Sequence, residues 1–328
     1  ISWIIFYLQQ IFLLDHHSVY VTVSIGIAFY PDDSDNVQEL LQNADVAMYH
    51  AKDSGRNNYK FFSEDLNLYL KNRMAIEHDL RAALSNDEFV LYYQPQFCSD
   101  NTRIIGFEAL LRWEHPTRGL LSPDAFIEIA EASGLIVPIG KWVLAQACKQ
   151  AAIWAEKSEI KYRMAVNLSA LQFNHQQLSE QVLEALEVSG LDPCLLELEI
   201  TESAIIQNVT DTLAVLVSLK DLGINLAIDD FGTGYSSLNY LKNFPIDTLK
   251  VDKSFIDQIV TNKKDAAIAQ TILQLADNLG LLSIAEGVET VEQLDGLKKM
   301  GCTQFQGFYF SKPLPAALID TLILTHQI

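Results

Sequence analysis

Polar side chains recur from residue 85 onward, in or directly after each short apolar run of the chain. In chain order they are Gln94, Glu108, Asn167, Glu199, Asp229, Asp230, Lys250, Glu286 and Gln306. An ionised side chain left unpaired in an apolar core is costly, so packing alone does not explain this series. Clustered carboxylates repel each other unless cations lie between them, and carboxylate and amide oxygens suit hard divalent ions. The series therefore indicates one or two ions of the magnesium or manganese kind.

The apolar runs that carry these residues are typical of the strands of an α/β fold. Their composition predicts strands at 89–94, 104–113, 163–168, 195–200, 224–229, 248–251, 281–285 and 303–306. Helical spacing of apolar residues predicts helices at 124–133, 141–157, 176–189, 210–222, 264–279 and 291–300. Eight strands with helices between them predict a parallel α/β barrel, in which the polar groups converge on one mouth.

One connection does not fit a barrel of parallel strands alone. About nine residues separate the first predicted strand from the second, whereas a parallel crossover needs a dozen or more. We therefore expect these two strands to form an antiparallel hairpin, so that the first strand runs opposite to the others.

The residues before the barrel have a different pattern, and about 65 residues are too few for a complete domain. They predict a strand at 19–27, a helix at 36–51, a strand at 59–62 and one long helix at 63–84. We predict a domain remnant at 1–64, a linking helix at 65–84 and the barrel at 85–328. The long helix fits equally well as the first helix of the barrel domain.

The beginning of the chain indicates a piece of a longer protein, since the first residue is Ile1 and not a methionine. The apolar residues 1–14 fall short of the ~18 needed to cross a bilayer, and we expect them to be the end of a buried helix that leads into a strand. An upstream sensory region, with or without a membrane segment, is expected outside this chain.

Composition excludes several classes of function. Asp plus Glu number 42 against 23 Lys plus Arg, a formal charge of -19, which repels a polyanion such as DNA or RNA. The four cysteines form no CxxC pair and predict reduced thiols in a cytoplasmic protein. The seven histidines form no HExxH motif, so a histidine-ligated zinc site is not expected.

Seven motifs link the polar series to a known family. They are FEALLRW at 107–113, NLS at 167–169, EITE at 199–202, DDFGTGYSS at 229–237, LKVD at 249–252, AEGVE at 285–289 and QGF at 306–308. Over about residues 70–318 the chain resembles the EAL-domain phosphodiesterases, which hydrolyse cyclic di-GMP. The resemblance implies a modified TIM (β/α)8 barrel with an antiparallel first strand.

The first region resembles the last third of a second family, the GGDEF domain. The matching segments are VSIGIA at 23–28, ADVAMYHAK at 44–52 and GRN at 55–57. The resemblance implies a partial α+β fragment of that domain. None of the 15 glycines is adjacent to another, so the catalytic turn that cyclises nucleotides is absent from this chain.

The resemblance to EAL phosphodiesterases also implies residue roles. One metal ion is expected on Glu108, Asn167, Glu199 and Asp229, and a second on Asp229, Asp230 and Glu286. The catalytic residues implied are Glu286 as general base and Lys250, which orients water or neutralises charge on the phosphate. Substrate contacts are expected from Gln94, Arg112 and Gln306, while Glu202 and Glu289 orient the ligands and the loop 231–237.

The implied reaction is hydrolysis of cyclic di-GMP to linear pGpG with two Mg²⁺ or Mn²⁺ ions, inhibited by Ca²⁺, in a homodimer. A catalytically inactive EAL domain that acts as a cyclic di-GMP receptor is the alternative, and a purely structural protein is a third. The presence of every metal-binding position and of the lysine favours hydrolysis over both.

Overall fold

The structure is a computed structural model that describes residues 1–8, 12–14, 17–19, 21–99, 103–175, 177–206, 209–234 and 241–325. The chain divides into two compact units, Ile1–Arg81 and Ala82–Ile328. The domain boundaries that we predict from the sequence stay a prediction.

The first unit contains helices and short strand pairs. Its elements are α1 (Ser2–Leu8), β1 (Phe12–Leu14), β2 (His17–Val19), β3 (Ile25–Ile27), α2 (Val37–Asp53), β4 (Tyr59–Phe61) and most of α3 (Glu64–Ala83). Strand β3 pairs in parallel with β4, and β1 pairs antiparallel with β2. The side chain of Asn36 caps α2 by accepting from the backbone N–H of Gln38 at 2.8 Å.

Two expectations for this unit are wrong in part. The predicted strand at 19–27 is irregular at 21–24, because a run of β-branched residues forms a strand only where a partner strand pairs with it. Helix α1 forms as expected but is buried only in part. Ile5 is buried, whereas Trp3 is 71% and Phe6 65% exposed. An apolar segment favours burial, but the surrounding structure decides which of its faces is covered.

The second unit is built on a closed barrel of eight strands. These are β5 (Phe89–Cys98), β6 (Ile104–His115), β8 (Arg163–Leu168), β9 (Leu196–Thr201), β10 (Asn225–Phe231), β11 (Thr248–Val251), β12 (Leu282–Ala285) and β13 (Gln304–Phe305). Two short strands, β7 (Gly119–Leu121) and β14 (Leu314–Pro315), pair with β6 and β5. The barrel closes because β5 pairs with both β6 and β13.

The first barrel strand runs in reverse, as the short connection predicts. β5 is antiparallel to β6 and to β13, whereas the other neighbours in the barrel are parallel. The register places Gln94 directly opposite Glu108. The predicted fold class, a modified TIM barrel with an antiparallel first strand, is therefore confirmed.

Helices surround the barrel. They are α4 (Ile127–Ala132), α5 (Ile136–Lys157), α6 (Ala170–Phe173), α7 (Leu178–Ser189), α8 (Glu202–Ile206), α9 (Val209–Asp221), α10 (Lys253–Ile256), α11 (Lys263–Leu279), α12 (Val291–Lys299) and α13 (Ala316–Thr325). Helix α5 starts five residues earlier than predicted, since Pro138 is tolerated in a first turn and Ile136 and Ile139 are buried. Across the described residues, none of the helices combines the length and apolarity needed to span a membrane.

Side chains alternate between the helices and the barrel interior along each strand. In β9, Leu198 is fully buried on the side of the helices, whereas Glu197 and Glu199 face the interior, where Glu197 accepts from Thr248 and Glu199 contacts Lys250. Aromatic side chains pack between the strands and the helices: Trp154 of α5 contacts Phe107 of β6 at 4.8 Å between ring centroids. Strand β9 thus presents its carboxylates inward and Leu198 outward.

Gly307 provides a test of the close approach between the segments after β12 and β13. A Cβ at this position would lie 2.1 Å from the carbonyl oxygen of Val288, so Gly307→Ala must separate these backbones. We expect it to lower the free energy of unfolding by about 1–3 kcal/mol in urea titrations. The control is Gly296→Ala, because Gly296 lies in a helix with nothing within 4 Å of its Cβ position, and it should stabilise by about 0.4–1 kcal/mol. Equal stability of the two variants would contradict the packing.

Candidate active site

The predicted polar series converges at one mouth of the barrel. Most of its strand-borne members sit near the carboxyl ends of parallel strands, whereas Gln94 and Glu108 face each other within β5 and β6. Glu286 and Gln306 directly follow β12 and β13. The register pairs Asn167 with Glu199 across β8 and β9. The barrel therefore brings together residues that lie up to 212 positions apart, such as Gln94 and Gln306.

The ammonium group of Lys250 lies among the carboxylates. It is 1% exposed, and its Nζ is 2.5 Å from Glu286 Oε1, 2.6 Å from Glu199 Oε2 and 3.3 Å from Asp229 Oδ1. Burial by itself lowers the pKa of Lys250, but the nearby carboxylates, which include Glu108, outweigh burial and hold the pKa well above its ordinary value. The carboxylates therefore favour the charged form of the lysine.

The carboxylates around Lys250 are costly to ionise. Burial raises the pKa of Glu199 well above its ordinary value, and Glu108, Asp229 and Glu286 add to this, while Lys250 opposes it. Burial likewise raises the pKa of Glu286 to about 8, against the effect of Lys250. One lysine does not compensate the negative charge of the cluster, and additional positive charge at the mouth would stabilise it.

Amide side chains bridge the other side of the cluster. Asn167 Nδ2 donates to Glu108 Oε1 at 2.6 Å, and Gln306 Nε2 donates to Glu108 Oε2. The same amide group of Gln306 donates to Gln94 Oε1 at 3.1 Å, and Gln94 Nε2 donates to the carbonyl oxygen of Ser311 at 3.1 Å. Both carboxylate oxygens of Glu108 are therefore held by amides.

Asp229 and Asp230 are consecutive residues at an irregularity in strand β10. The register between β10 and β11 shifts between Ile228 and Phe231, and Asp230 has a φ of 53°, a left-handed conformation that Asp tolerates better than most residues. Burial raises the pKa of Asp230 to about 6, with contributions from Asp229 and Asp252. Asp230 thus lies at the edge of the cluster, next to Asp252.

The remaining predicted residues surround this centre. Arg112 stacks its guanidinium 5.5 Å from the ring centroid of Tyr92. Glu202 is buried and accepts from the backbone N–H of Gly232 at 2.9 Å, which fixes the start of the loop after β10. Glu289 is bound by Lys253 at 2.6 Å, at the exposed rim. Positions 235–237 of the predicted loop lie outside the described residues.

Sequence reasoning missed an aromatic platform at the mouth. A cavity of about 200 Å³ opens there between Glu108, Glu286, Gln306 and Phe308. Phe308 is 53% exposed, and the ammonium groups of Lys253 and Lys312 lie 6.0 and 5.5 Å from its ring centroid. The position of Phe308 within the QGF motif is the signal that could have pointed to it.

The donor set of the mouth fits a hard divalent ion. Among the described residues, no three carboxylate, histidine or cysteine side chains already form a preassembled ligand set, because Lys250 separates the carboxylates. However, Glu199 Oε1 is buried without a hydrogen-bond partner in the described part of the chain, and rotation of the Asn167 amide would present its oxygen. Carboxylate and amide oxygens are the ligands that magnesium and manganese prefer.

The barrel, its reversed strand and this cluster define the class of protein. Residues 77–313 match the sequence model of the EAL domain, and the chain belongs to the EAL-domain family. Residues 4–58 match the diguanylate cyclase GGDEF domain. Both resemblances predicted from the motifs are confirmed.

Two similar proteins are named for the turnover of cyclic di-GMP. The bifunctional diguanylate cyclase/cyclic di-GMP phosphodiesterase MucR of Pseudomonas aeruginosa is 46% identical over 309 residues, which are 94% of this chain and 45% of the relative. The cyclic di-GMP phosphodiesterase NbdA of the same organism is 43% identical over 314 residues, 96% of this chain and 40% of the relative. This chain thus spans less than half the length of these relatives.

A solved structure shows the same fold. The MucR phosphodiesterase in complex with c-di-GMP has a TM-score of 0.73 and 46% identity, and the match covers 75% of this chain and 99% of the other. At this identity the barrel and the positions along its strands are directly comparable.

Removal of the central lysine tests the electrostatics of the cluster. Lys250→Met leaves Glu199 and Glu286 without their buried cation, and we expect the free energy of unfolding in EDTA to fall by about 3–5 kcal/mol. The control is Lys253→Met, which breaks the exposed pair with Glu289 and should cost less than about 1 kcal/mol. If chemical denaturation shows equal losses for both variants, Lys250 does not stabilise the cluster.

Proposed function

We propose that this chain hydrolyses cyclic di-GMP to linear pGpG in a reaction that depends on divalent metal ions. The observation that carries the proposal is the intact cluster of Glu108, Glu199, Asp229 and Lys250 at the barrel mouth. It is supported by similarity to relatives that are named as phosphodiesterases of this nucleotide.

Metal binding would use oxygen donors of the mouth. Glu108, Asn167, Glu199 and Asp229 would hold one Mg²⁺ or Mn²⁺, and Asp229, Asp230 and Glu286 a second. Two such ions, when bound, lower the pKa of water and stabilise negative charge on a phosphoryl group. Lys250 would have to share Glu199, Asp229 and Glu286 with these ions. Metal binding is supported by the burial that raises the pKa of Glu199 and Glu286, because added positive charge would offset the cost of ionising them.

Proton transfer and charge neutralisation fall to two residues. Glu286 is 17% exposed at its side chain and lies on the cavity wall. Bound cations would favour its ionised form, in which the carboxylate can accept a proton from a water molecule that attacks phosphorus in line. Its position beside Lys250 keeps the accepting group next to a fixed positive charge. The positive charge of Lys250 would stabilise the negative charge that develops on the phosphate as the 3′ ester bond breaks.

Substrate binding would use the rim of the same cavity. A guanidinium can bond a phosphate through two parallel N–H groups, and stacking on Tyr92 holds Arg112 in place for this role. Gln94 and Gln306 line the cavity and can contact the nucleotide. The exposed ring of Phe308 offers a face on which a guanine base can stack, with Lys253 and Lys312 nearby to offset phosphate charge.

A cyclic di-GMP receptor without hydrolytic activity is the second candidate. Binding alone needs the rim and does not require Lys250 buried among three carboxylates, an arrangement that is costly to maintain. Hydrolysis is therefore favoured. The homodimer, the upstream sensory region and the cytoplasmic location predicted from the sequence remain proposals.

Replacement of the shared ligand tests the metal assignment. Asp229→Asn keeps the size of the side chain but removes its charge, and we expect Mn²⁺ binding and pGpG formation to fall together, with turnover at least ~100-fold lower. The measurements are calorimetric titration with Mn²⁺ and chromatography of the products. Glu184→Gln, which affects an exposed pair with Lys141, is the control and should match the parent. Parent-like turnover by Asp229→Asn would refute the assignment.

Replacement of the proposed base separates binding from chemistry. Glu286→Gln retains an oxygen atom but accepts no proton, so we expect turnover to fall about 10²–10⁴-fold. Affinity for cyclic di-GMP, measured by calorimetry with Ca²⁺ in place of Mg²⁺ to prevent hydrolysis, should stay within about threefold of the parent. Full activity in Glu286→Gln would exclude it as the base.

A further inference from the structure

A chain of buried hydrogen bonds runs from the catalytic mouth to the opposite end of the barrel. Gln96 in β5 is fully buried, and its Nε2 donates to Gln306 Oε1 at 3.0 Å. Gln306 in turn donates through its own Nε2 to Glu108. At the far end, Arg163 at the start of β8 donates through Nη2 to Gln96 Oε1 at 3.3 Å.

The two ends of this hydrogen-bonded series, Arg163 and Glu108, determine the orientation of the Gln96 and Gln306 amides. A guanidinium only donates hydrogen bonds, and an ionised carboxylate only accepts them. Because Gln96 must present its oxygen to Arg163, its NH₂ group faces Gln306. Gln306 then presents its oxygen to Gln96 and its NH₂ group to Glu108. The opposite orientation of either amide would place two donors or two acceptors in contact.

We propose that Arg163 and Gln96 are positioning residues, which fix the Gln306 amide with its NH₂ group toward Glu108 and so orient that carboxylate for a metal ion. This inference rests on the proposed function, because it assigns the metal to the mouth. Neither Arg163 nor Gln96 lines the cavity at the mouth, so both would act through Gln306. Partners that orient a ligand typically change metal affinity or activity 10- to 100-fold when they are lost.

Arg163 is itself held in a fixed position. Its Nη1 lies 3.2 Å from Glu197 Oε2, and its Nη2 also donates to Gln304 Oε1 at 2.9 Å. Glu197 is 1% exposed and accepts in addition from Thr248 Oγ1 at 2.8 Å. Glu197 and Gln304 therefore anchor the guanidinium that donates to Gln96.

Gly106 leaves room for this arrangement. It is the register partner of Gln96, and a Cβ at this position would lie 3.1 Å from Gln96 Oε1 and 2.7 Å from the carbonyl oxygen of Arg163. On the far side, a cavity of about 320 Å³ is lined by Arg163, Gln304, Arg103 and Lys161. The side chain of Arg163 is 13% exposed, and in Arg163→Ala this cavity would open onto the vacated position.

The first test reverses the direction of the hydrogen bonds and keeps the size of the side chain at position 96. In Gln96→Glu the carboxylate still accepts from Arg163, which keeps it ionised, but it cannot donate to Gln306. The Gln306 amide must then turn its oxygen toward Glu108, and we expect Mn²⁺ binding, measured by calorimetry without nucleotide, to weaken about 10- to 100-fold. Added negative charge alone would strengthen Mn²⁺ binding, so a weakening reports orientation.

Two variants control for packing. Gln96→Met fills the same space without imposing an orientation and should weaken binding less than Gln96→Glu. Gln304→Met removes another partner of Arg163 that is not in the path to Glu108, and should stay within about threefold of the parent. Parent-like Mn²⁺ binding in Gln96→Glu, or equal losses in Gln96→Glu and Gln96→Met, would overturn the proposal.

The second test uses chemical rescue. Arg163→Ala should weaken Mn²⁺ binding about tenfold, and guanidinium chloride at tens of millimolar should restore at least half of the loss through the far cavity. Urea at the same concentration carries no charge and should restore none; rescue by urea, or no rescue by guanidinium in a folded variant, would contradict the proposal. If Arg163→Ala does not fold, Gln96→Glu decides.

The parent protein distinguishes the two levels of inference. A parent that binds Mn²⁺ but forms no pGpG overturns the proposed hydrolysis, while the comparison of Mn²⁺ affinities still decides on the hydrogen-bonded chain. If the parent hydrolyses cyclic di-GMP but has the same Mn²⁺ affinity as Gln96→Glu, only the positioning role of Arg163 and Gln96 is overturned. A parent that binds no Mn²⁺ overturns both.

Discussion

The burial of several carboxylates around one ammonium group is the constraint on which the rest of the barrel depends. Glu199 and Lys250 are each 1% exposed, and dehydration of charges is repaid only by close opposite charges and complete hydrogen bonding. The strands must therefore hold these groups within ion-pair distance while their other faces bury an apolar layer against the helices. A shift in strand register by one residue would exchange the two faces.

The reversed first strand contributes directly to this arrangement. Because β5 runs antiparallel to β6, Gln94 stands opposite Glu108, and Gln96 reaches toward Gln306. The amides satisfy carboxylate oxygens without adding charge, whereas Lys250 supplies the charge on the other side. The interior of the barrel is thus divided between an ionic half and an amide half, and Glu108 belongs to the amide half.

Much of this organisation could be predicted from single segments of the sequence. The eight strands lie close to their predicted positions, and a connection too short for a crossover predicts the hairpin of β5 and β6. The first unit was less predictable, since the exposure of Trp3 and Phe6 depends on what packs against α1. The break at Asp230 was also missed, because a left-handed residue inside a strand has no sequence signal here beyond the residue type.

The primary structure alone is enough to assign the family, the number and order of the barrel strands, and the types of side chain at their ends. These properties follow from local patterns and from motifs in order along the chain. Three features appear only in the folded barrel. Lys250 lies within ion-pair distance of three carboxylates, Glu289 pairs with Lys253 at the rim, and Arg163 and Gln96 connect to Glu108. The reason is that these contacts join strands far apart in sequence, and their distances are set by barrel closure and register, which no single segment encodes.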